Sequence, residues 1–312
     1  MKKSIVITII AVAIVAIGAY VYFVQWNKSG TQQIAESPNV TSSAAATPIA
    51  LATRFNIADF QRVSGSTVTL PLTQLFALKT TGATQDEIDE NLKHDRTYLA
   101  FDALRGAKKD IIFTTSPSAG VYQHVDVEVE SQPIARDGLV FLVNKDNPVK
   151  SLTKQQIVDI YSGKITNWKN VGGDDAKIIA YQRNENSGSQ DGMLDLVMGK
   201  TEIDNMVTEL AESMQGLVDV IANYENSKYS IGYSYYYFTD VQYIKENTKL
   251  LAINGVQPNP ANFANGTYPF VAQYYVVIRA DEPQNSFARR FMQLVLSDEG
   301  KAVVEEAGYV KI

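Results

Sequence analysis

The chain has 312 residues, of which 45% are hydrophobic and 20% are charged, and it contains no cysteine. Disulfides, thiol catalysis and lipid attachment at an N-terminal cysteine are therefore excluded. The chain carries 28 lysines and arginines against 34 aspartates and glutamates; Lys2 and Lys3 are the only charged residues before position 27, so the remainder has a net charge of −8. This acidity argues against nucleic acid or an anionic membrane surface as a partner.

The N-terminal region predicts a membrane anchor followed by a tether. Residues 5–26 form an apolar run that would span about 33 Å as a helix, enough for a bilayer core. The lysines of residues 1–4 should stay in the cytoplasm, which places the rest of the chain outside it, at the cell membrane. A cleaved signal peptide is the alternative, because small residues occur at 16–19. Residues 27–53 are rich in Ser, Thr and Ala without hydrophobic periodicity, and predict a flexible tether.

From residue 55 onward, short apolar runs alternate with helical patterns, which predicts an α/β fold with largely parallel sheets. The length of this part favours two α/β lobes. Ligands in such sheets bind beyond the carboxyl ends of strands, where helices begin. The predicted strands are 110–113, 138–143, 177–180, 230–233 and 273–278, and the predicted helices are 71–80, 85–92, 97–106, 153–162, 190–198, 201–212, 216–223 and 286–296.

The most informative of these junctions joins the predicted strand 177–180 to the helix 190–198. A helix N-terminus offers free N–H groups and a partial positive charge, which suit an anion. Ser187 and Ser189 add hydroxyl donors, Gly188 permits close backbone approach, and Arg183 supplies a forked cation for oxygens. The alternative is an ordinary helix cap beside a surface arginine.

Three further junctions also carry hydroxyl groups where a helix begins or a strand ends. They are the segments 65–71, 96–97 and 114–118, of which the first places a proline in the first helical turn. Each junction alone is an ordinary cap. Together, the four predict one oxyanion site assembled from two lobes.

The segment 151–173, SLTKQQIVDIYSGKITNWKNVGG, strongly resembles a signature of phosphate-binding proteins of ABC importers. The segments 183–189, 65–71 and 230–233 also resemble that family, and the likeness covers residues 58–312. The resemblance implies a type II periplasmic-binding-protein fold, in which two lobes are joined by two crossing segments and a cleft closes on the ligand. We expect the crossings near 138–143 and 274–278. Lobe 1 then comprises 54–140 and 274–312, and lobe 2 comprises 141–273.

The resemblance also implies which residues hold the anion. The family often has an aspartate in the segment matching 114–117, which accepts a hydrogen bond from protonated phosphate and so rejects sulfate. Here that segment carries only hydroxyls, which can also accept. Asp137 is an alternative acceptor, or else a surface turn residue or a partner of Arg136. The expected ligand residues are Thr69, the Leu70 backbone, Thr97, Thr115, Ser116, Arg183, Ser187, Gly188 and Ser189, with Ser66 and Asp137 as further candidates.

No catalytic residue, metal or cofactor is expected. His94 and His124 are the only histidines, neither lies in a metal-ligand or catalytic spacing, and both are interpreted as surface or helix-cap residues. The aromatic run 233–238 could stack on a sugar, but its alternation favours packing on one face of a strand.

The sequence therefore predicts a monomeric extracytoplasmic solute-binding protein, not an enzyme. It would capture inorganic phosphate and deliver it to the permease of an ABC importer. A membrane-tethered oxyanion sensor or adhesion-type module with the same fold is one alternative. A phosphate-ester hydrolase is a more remote one, because metal ligands and a general base are lacking.

Overall fold

The computed structural model describes residues 54–115, 127–185, 187–205, 208–223, 227–243 and 245–312. The predicted anchor and tether, residues 5–26 and 27–53, lie outside this part of the chain, as do Ser116 and His124. Within it, no helix is long and apolar enough to cross a bilayer.

The strands of the described residues form a mixed sheet and one small two-stranded pair, β4 with β9. Most strands are three to nine residues long, and β3 is much longer, at 16 residues. The strands are β1 (Val63–Gly65), β2 (Ile111–Thr115), β3 (Val129–Asn144), β4 (Ser151–Leu152), β5 (Ile179–Arg183), β6 (Thr208–Ala211), β7 (Ser230–Tyr235), β8 (Thr248–Leu250), β9 (Ala252–Ile253), β10 (Val271–Arg279) and β11 (Val310–Lys311).

Helices connect these strands, and several begin at a side-chain cap of the kind that the sequence favours. Thr84 and Thr153 each form a capping box with the residue three positions on. The α-helices are α1 (Leu70–Thr81), α2 (Gln85–Asn91), α3 (Thr97–Arg105), α4 (Lys154–Tyr161), α5 (Gly188–Gly192), α6 (Met214–Asn223), α7 (Pro260–Ala264), α8 (Phe287–Leu296) and α9 (Asp298–Glu306). Short 3₁₀ segments occur at Ile57–Arg62, Thr67–Thr69, Trp168–Val171 and Ser227–Tyr229, and π-helical segments at Met193–Met198 and Tyr237–Gln242.

The long strand β3 divides the sheet into two halves. The strand order is β1-β2-β10-β3-β7-β5-β6, and β8 and β11 also pair with β3. Residues 129–138 of β3 pair with β10, whereas residues 139–143 pair with β7. We call β1, β2, β10 and residues 129–138 the first half, and β5, β6, β7 and residues 139–144 the second half.

The sheet is less parallel than the sequence predicts. The pairs β1/β2, β5/β6 and β5/β7 are parallel, but β10 runs antiparallel to both β2 and β3, and β3 runs antiparallel to β7. The strands β3 and β10, which run antiparallel to their neighbours, lead the chain from one half to the other. An alternation of strand and helix patterns in the sequence does not reveal this change of strand direction. The predicted crossing segment 274–278 pairs with β2 in the first half. The two crossing strands meet just before this segment, where the Leu139 amide donates to the Phe270 carbonyl at 2.9 Å.

Each half has an aromatic core that fixes its helices against the sheet. In the first half, Phe291 of α8 contacts Phe60, Phe76 and Phe113 with ring centroids 5.2 to 5.6 Å apart. In the second half, Tyr233 packs edge-on against Tyr161 at 5.5 Å. Burial of aromatic rings of this size is the main source of stability in such cores.

The predicted helix 201–212 is wrong. The described part of this segment contains β6, Thr208–Ala211, which pairs in parallel with β5. Its spacing of apolar residues fits a helix, but Thr208 has a side chain suited to a strand, and β5 offers an open edge for pairing. Sheet pairing overrides a weak local pattern, as is usual for edge strands.

Candidate anion-binding site

A cavity of about 330 Å³ lies between the two halves of the sheet. It is bordered by the residues that follow β1 and β5, by Thr115 at the end of β2, and by the start of α3, which are the positions expected for a ligand in an α/β sheet. Its lining residues are Ser66, Thr67, Val68, Arg96, Thr97, Thr115, Arg183, Ser187, Gly188, Ser189, Glu212, Ser213, Met214, Gln215, Tyr235, Phe238, Gln242 and Tyr243.

Arg183, the last residue of β5, is a buried cation within this lining. Its side chain is only 4% exposed. The guanidinium donates to neutral oxygens: Nε to the Ala211 carbonyl at 2.9 Å, Nη2 to the Glu212 carbonyl at 3.2 Å and Nη1 to Ser189 Oγ at 3.4 Å. Among the described residues, no carboxylate lies within ion-pair distance of it. Burial lowers the pKa of Arg183 to about 10, so it remains charged at neutral pH, and a buried charge without a counter-ion favours an anionic ligand.

The segment 187–189 places Gly188 against the opposite half of the sheet. Ser187 caps α5, its Oγ accepting from the Gln190 amide at 3.3 Å. A side chain on Gly188 would bring its Cβ to 2.7 Å from Thr115 Oγ1 and 2.8 Å from Thr97 Oγ1. The two halves therefore touch at this point, and only glycine allows that approach.

Two tyrosines of β7 hold this segment in position. The Tyr235 hydroxyl donates to the Gly188 carbonyl at 2.8 Å. The Tyr233 hydroxyl donates to Gln190 Oε1 and accepts from the Arg183 amide at 3.0 Å. Both rings are buried, so they pack and support the site and offer no open platform for a sugar.

Hydroxyl groups from the first half meet the cavity from the other side. Ser66 Oγ lies 2.9 Å from Thr97 Oγ1 and 3.1 Å from Thr114 Oγ1. Thr115 Oγ1 is buried and has no well-formed hydrogen bond among the described residues, although it interacts with the Tyr235 hydroxyl. A buried hydroxyl without a partner loses hydration that a ligand in the cavity could restore.

Thr69 and Leu70 do not line the cavity, although the sequence selects them as ligand residues. Thr69 Oγ1 donates to the Ser66 and Phe113 carbonyls at 2.9 and 2.8 Å, so its hydroxyl stabilises the turn that follows β1. The neighbouring Thr67 and Val68 border the cavity. The 3₁₀ turn Thr67–Thr69 leads directly into α1, and the cavity is bordered by its first two residues and not by its last.

Arg96 is a lining residue that sequence reasoning missed. It occupies the N-cap position of α3 with φ of 76°, a conformation that is uncommon for a residue other than glycine. Its charge lowers the pKa of Arg183 further, after burial. A second cation is thus present at the cavity, and its unusual backbone could not be read from the sequence.

Asp137 lies apart from the cavity, at the point where β3 passes between the halves. It is buried, and it accepts from the Tyr274 hydroxyl at 2.5 Å, the Gly138 amide at 2.7 Å and the Tyr237 amide at 3.2 Å. Burial raises the pKa of Asp137 to about 7. It is therefore neither a surface turn residue nor a partner of Arg136, whose guanidinium donates to the Ala264 carbonyl.

His94 is an internal brace, which corrects its interpretation as a surface or helix-cap residue. Its Nδ1 lies 2.8 Å from the Ser66 carbonyl and therefore carries the proton, since a carbonyl only accepts. Its Nε2 lies 3.0 Å from Thr73 Oγ1. Desolvation of the ring lowers the pKa of His94 to about 4. The residue supports the Ser66 segment of the site and does not itself line the cavity.

Comparison with known proteins assigns the fold to a family. A family model described as the PBP superfamily domain matches residues 35–299. The chain belongs to this superfamily. Its cavity lies between two sheet halves joined by long strands, and the superfamily assignment covers both halves.

Curated relatives and solved structures agree with this assignment. The chain is 36% identical over 184 residues to the phosphate-binding protein PstS of Staphylococcus epidermidis, which covers 57% of this chain and 54% of that protein. It is 29% identical over 181 residues to PstS of Bacillus subtilis, covering 57% and 56%. The chain thus aligns with about half the length of the curated relatives it matches.

Two solved structures have the same fold. One, from Clostridium perfringens with bound phosphate, superposes with a TM-score of 0.64 at 24% identity, covering 80% of this chain and 98% of that one. The other, an ABC-type phosphate transport receptor from Vibrio cholerae, superposes with a TM-score of 0.61 at 24% identity, covering 80% and 99%.

Proposed function

We propose that this chain is an extracytoplasmic substrate-binding protein that captures inorganic phosphate and delivers it to the permease of an ABC importer. The observation that carries the proposal is Arg183, a buried guanidinium without a carboxylate partner among the described residues. The PstS relatives from two genera support phosphate as the ligand. Binding, without a chemical reaction, is the proposed activity.

The proposed ligand residues come from both halves of the sheet. Arg183, Ser187, Gly188 and Ser189 would act from the second half. Ser66, Thr97 and Thr115 would act from the first, together with Thr67 and Arg96 of the cavity lining. Ser116, which lies outside the described residues, is a further proposed ligand residue of that half. An anion held by both sides would favour their closed arrangement, so the halves would act as the two lobes of a hinged type II binding protein.

The energy of such a site is sufficient without a metal. Micromolar affinity corresponds to about 8 kcal/mol. A hydrogen bond to a charged group contributes about 1.5 to 3 kcal/mol, so several convergent donors would offset the cost of immobilising the anion and closing the lobes.

The remaining parts of the proposal concern location and selectivity. Residues 5–26 would anchor a monomer to the cell membrane and residues 27–53 would tether it at reach of the permease. For selectivity, Glu212 is an exposed acidic residue of the described lining, and its carbonyl accepts from Arg183, whereas Asp137 is engaged at the strand crossing. We propose that Glu212 and the lining hydroxyls accept a hydrogen bond from the protonated oxygen of hydrogen phosphate.

Isothermal titration of residues 54–312 with phosphate and with sulfate tests the proposal. We expect micromolar or tighter phosphate binding, at least 100-fold weaker sulfate binding, and loss of both in Arg183→Ala. Arg136→Ala is the matched control, because Arg136 lies on the surface and contacts the Ala264 carbonyl. Heat with sulfate and none with phosphate would overturn the assignment to phosphate.

A further inference from the structure

Beyond the phosphate-sized end of the cavity lies a second wall of different chemistry. It consists of side chains from the start of α6 and from the π-helical segment Tyr237–Gln242 with the residue after it. The Arg183 end is lined by hydroxyls, whereas these elements contribute a thioether and two aromatic rings beside the polar Gln215 and Gln242. We call these residues the apolar wall: Met214, Phe238 and Tyr243.

The apolar wall is held in place by its own contacts. Phe238 and Tyr243 stack with ring centroids 5.7 Å apart and an interplanar angle of 28°. The Tyr243 hydroxyl donates to Asp219 at 2.9 Å and accepts from Gln215 Nε2 at 3.1 Å. Met214 Sδ accepts from Ser234 Oγ at 3.5 Å. The wall is therefore a fixed surface in this structure.

The wall lies directly beside the cation. Arg183 donates to the carbonyls of Ala211 and Glu212, and Met214 begins α6 two residues later. A ligand anchored at Arg183 could therefore extend onto the wall without leaving the cavity.

The cavity is larger than inorganic phosphate requires. In the same measure of cavity volume, a water-sized group requires about 10 to 15 Å³, so the five non-hydrogen atoms of phosphate require about 50 to 75 Å³. The cavity measures about 330 Å³, which leaves room for a substituent of several atoms. Gly188 approaches Thr97 and Thr115 closely at the anion end, and the wall residues border the same cavity, so a substituent on the phosphate could reach them.

We propose that the site also accepts organic phosphate monoesters, with the phosphate at Arg183 and a small apolar substituent against Met214, Phe238 and Tyr243. This inference rests on the proposed anion site. It extends the ligand class from a free anion to an esterified one. Aromatic and thioether groups bind apolar substituents through burial and ring contacts. An inorganic anion has no apolar surface to bury and gains no such contacts.

The test compares phenyl phosphate, methyl phosphate and inorganic phosphate by isothermal titration against the full-length protein. We expect phenyl phosphate to compete for the phosphate site, to bind within 10-fold of inorganic phosphate, and to bind more tightly than methyl phosphate. Tyr243→Ala should weaken phenyl phosphate at least 10-fold and change inorganic phosphate less than 2-fold. Met214→Ala provides the same comparison should the tyrosine variant fail to fold, and Tyr229→Ala, outside the cavity lining, is the matched control.

The outcomes separate this inference from the proposed function. If inorganic phosphate binds but phenyl phosphate does not compete, the ester inference is wrong and the phosphate function stands. Equal losses for all three ligands in both wall variants would also overturn it, because the wall would then serve only to support the fold. If no ligand binds, the proposed anion site itself fails.

Discussion

At the scale of single residues, the hydroxyl groups around the cavity fall into two kinds. Thr69 Oγ1 is satisfied by two backbone carbonyls, whereas Thr115 Oγ1 is buried without a well-formed partner among the described residues. The first kind stabilises the fold, and the second kind is available to a ligand. Substitution by the isosteric valine distinguishes them.

Thr115→Val should therefore affect phosphate affinity, whereas Thr69→Val should affect the stability of the fold. We expect Thr115→Val to weaken phosphate binding about 10- to 100-fold, since a hydrogen bond to an anion contributes about 1.5 to 3 kcal/mol, with little change in stability. Thr69→Val should lower the free energy of unfolding by about 1 to 3 kcal/mol and leave affinity nearly unchanged. Titration calorimetry and urea unfolding measure the two effects. A Thr115→Val protein that unfolds earlier but binds normally would contradict the assignment.

The half-buried His94 and the buried Asp137 are two titratable residues whose effects on stability oppose each other. The pKa of His94 falls from 6.5 to about 4, so the folded protein keeps it neutral while the unfolded chain protonates below pH 6.5. The pKa of Asp137 rises from 3.8 to about 7, so the folded protein keeps it protonated while the unfolded chain ionises above pH 3.8. Between about pH 4 and 6.5, His94 makes stability rise with pH and Asp137 makes it fall.

Single substitutions should reveal each slope. Asp137→Asn removes the opposing effect of Asp137 and leaves that of His94. The free energy of unfolding of this variant should therefore increase with pH by up to about 1.4 kcal/mol per unit between pH 4.5 and 6, more steeply than that of the unmodified protein. His94→Gln should show the reverse slope. Urea unfolding at several pH values measures both, with Asp86→Asn, an exposed position in α2, as the control. Parallel slopes in all variants would show that neither residue has the shifted pKa.

At the scale of elements, the contact between the α5 N-terminus and the opposite half of the sheet decides how the site closes. Gly188 of α5 meets Thr97 of α3 and Thr115 of β2. Both threonines are β-branched and buried, so neither can move aside easily. The position tolerates no side chain without separating the two halves.

Gly188→Ala should accordingly weaken phosphate binding at least 10-fold, because its methyl group would hold the halves apart. Gly106→Ala is the matched control, since a Cβ there would meet only the Asp102 carbonyl at an ordinary 3.4 Å. Calorimetry measures the affinity, and circular dichroism checks that both variants fold. Unchanged affinity in Gly188→Ala would mean that the halves do not need this contact to hold the anion.

The sequence predicts those parts of the site that lie in one continuous segment. Arg183 and the Ser187–Ser189 turn were found because a strand, a glycine and hydroxyls occur in a recognisable order, and the structure places them in the cavity lining. Arg96 was missed because its positive φ depends on tertiary packing. The apolar wall was missed because Met214 and Tyr243 come together only through folding, although the aromatic run 233–238 marked the region.

The predicted elements follow the same rule. The helical pattern of 286–296 matches α8, Phe287–Leu296, because a strongly amphipathic segment needs only one core to pack against. Within the predicted helix 201–212, Thr208–Ala211 forms a strand instead, because it pairs with β5, a contact that the local pattern does not contain. Strand crossing and antiparallel return likewise depend on long-range pairing and have no local signal.

At the scale of the whole molecule, an acidic chain would bind an anion only through local groups. The chain carries a formal net charge of −6, which disfavours anions at long range. Within the cavity, Arg183, Arg96 and hydroxyl groups from both halves oppose this repulsion locally. Affinity would therefore depend on closure, which removes water and strengthens those local interactions.

Phosphate should stabilise the whole fold if it bridges the halves. At a free concentration 100 times the dissociation constant, the free energy of unfolding should rise by about 2.7 kcal/mol. Differential scanning calorimetry measures the shift, which Arg183→Ala should abolish and Arg136→Ala should retain. A shift of equal size in Arg183→Ala would place the stabilising anion elsewhere.

The most direct test of the central claim is a crystal structure of residues 54–312 grown with saturating phosphate. We predict one phosphate between the halves, contacted by the Arg183 guanidinium and by Thr115 Oγ1, with Gly188 of α5 beside it. Density for phosphate outside this cavity, with Arg183 still bound only to neutral oxygens, would contradict the account.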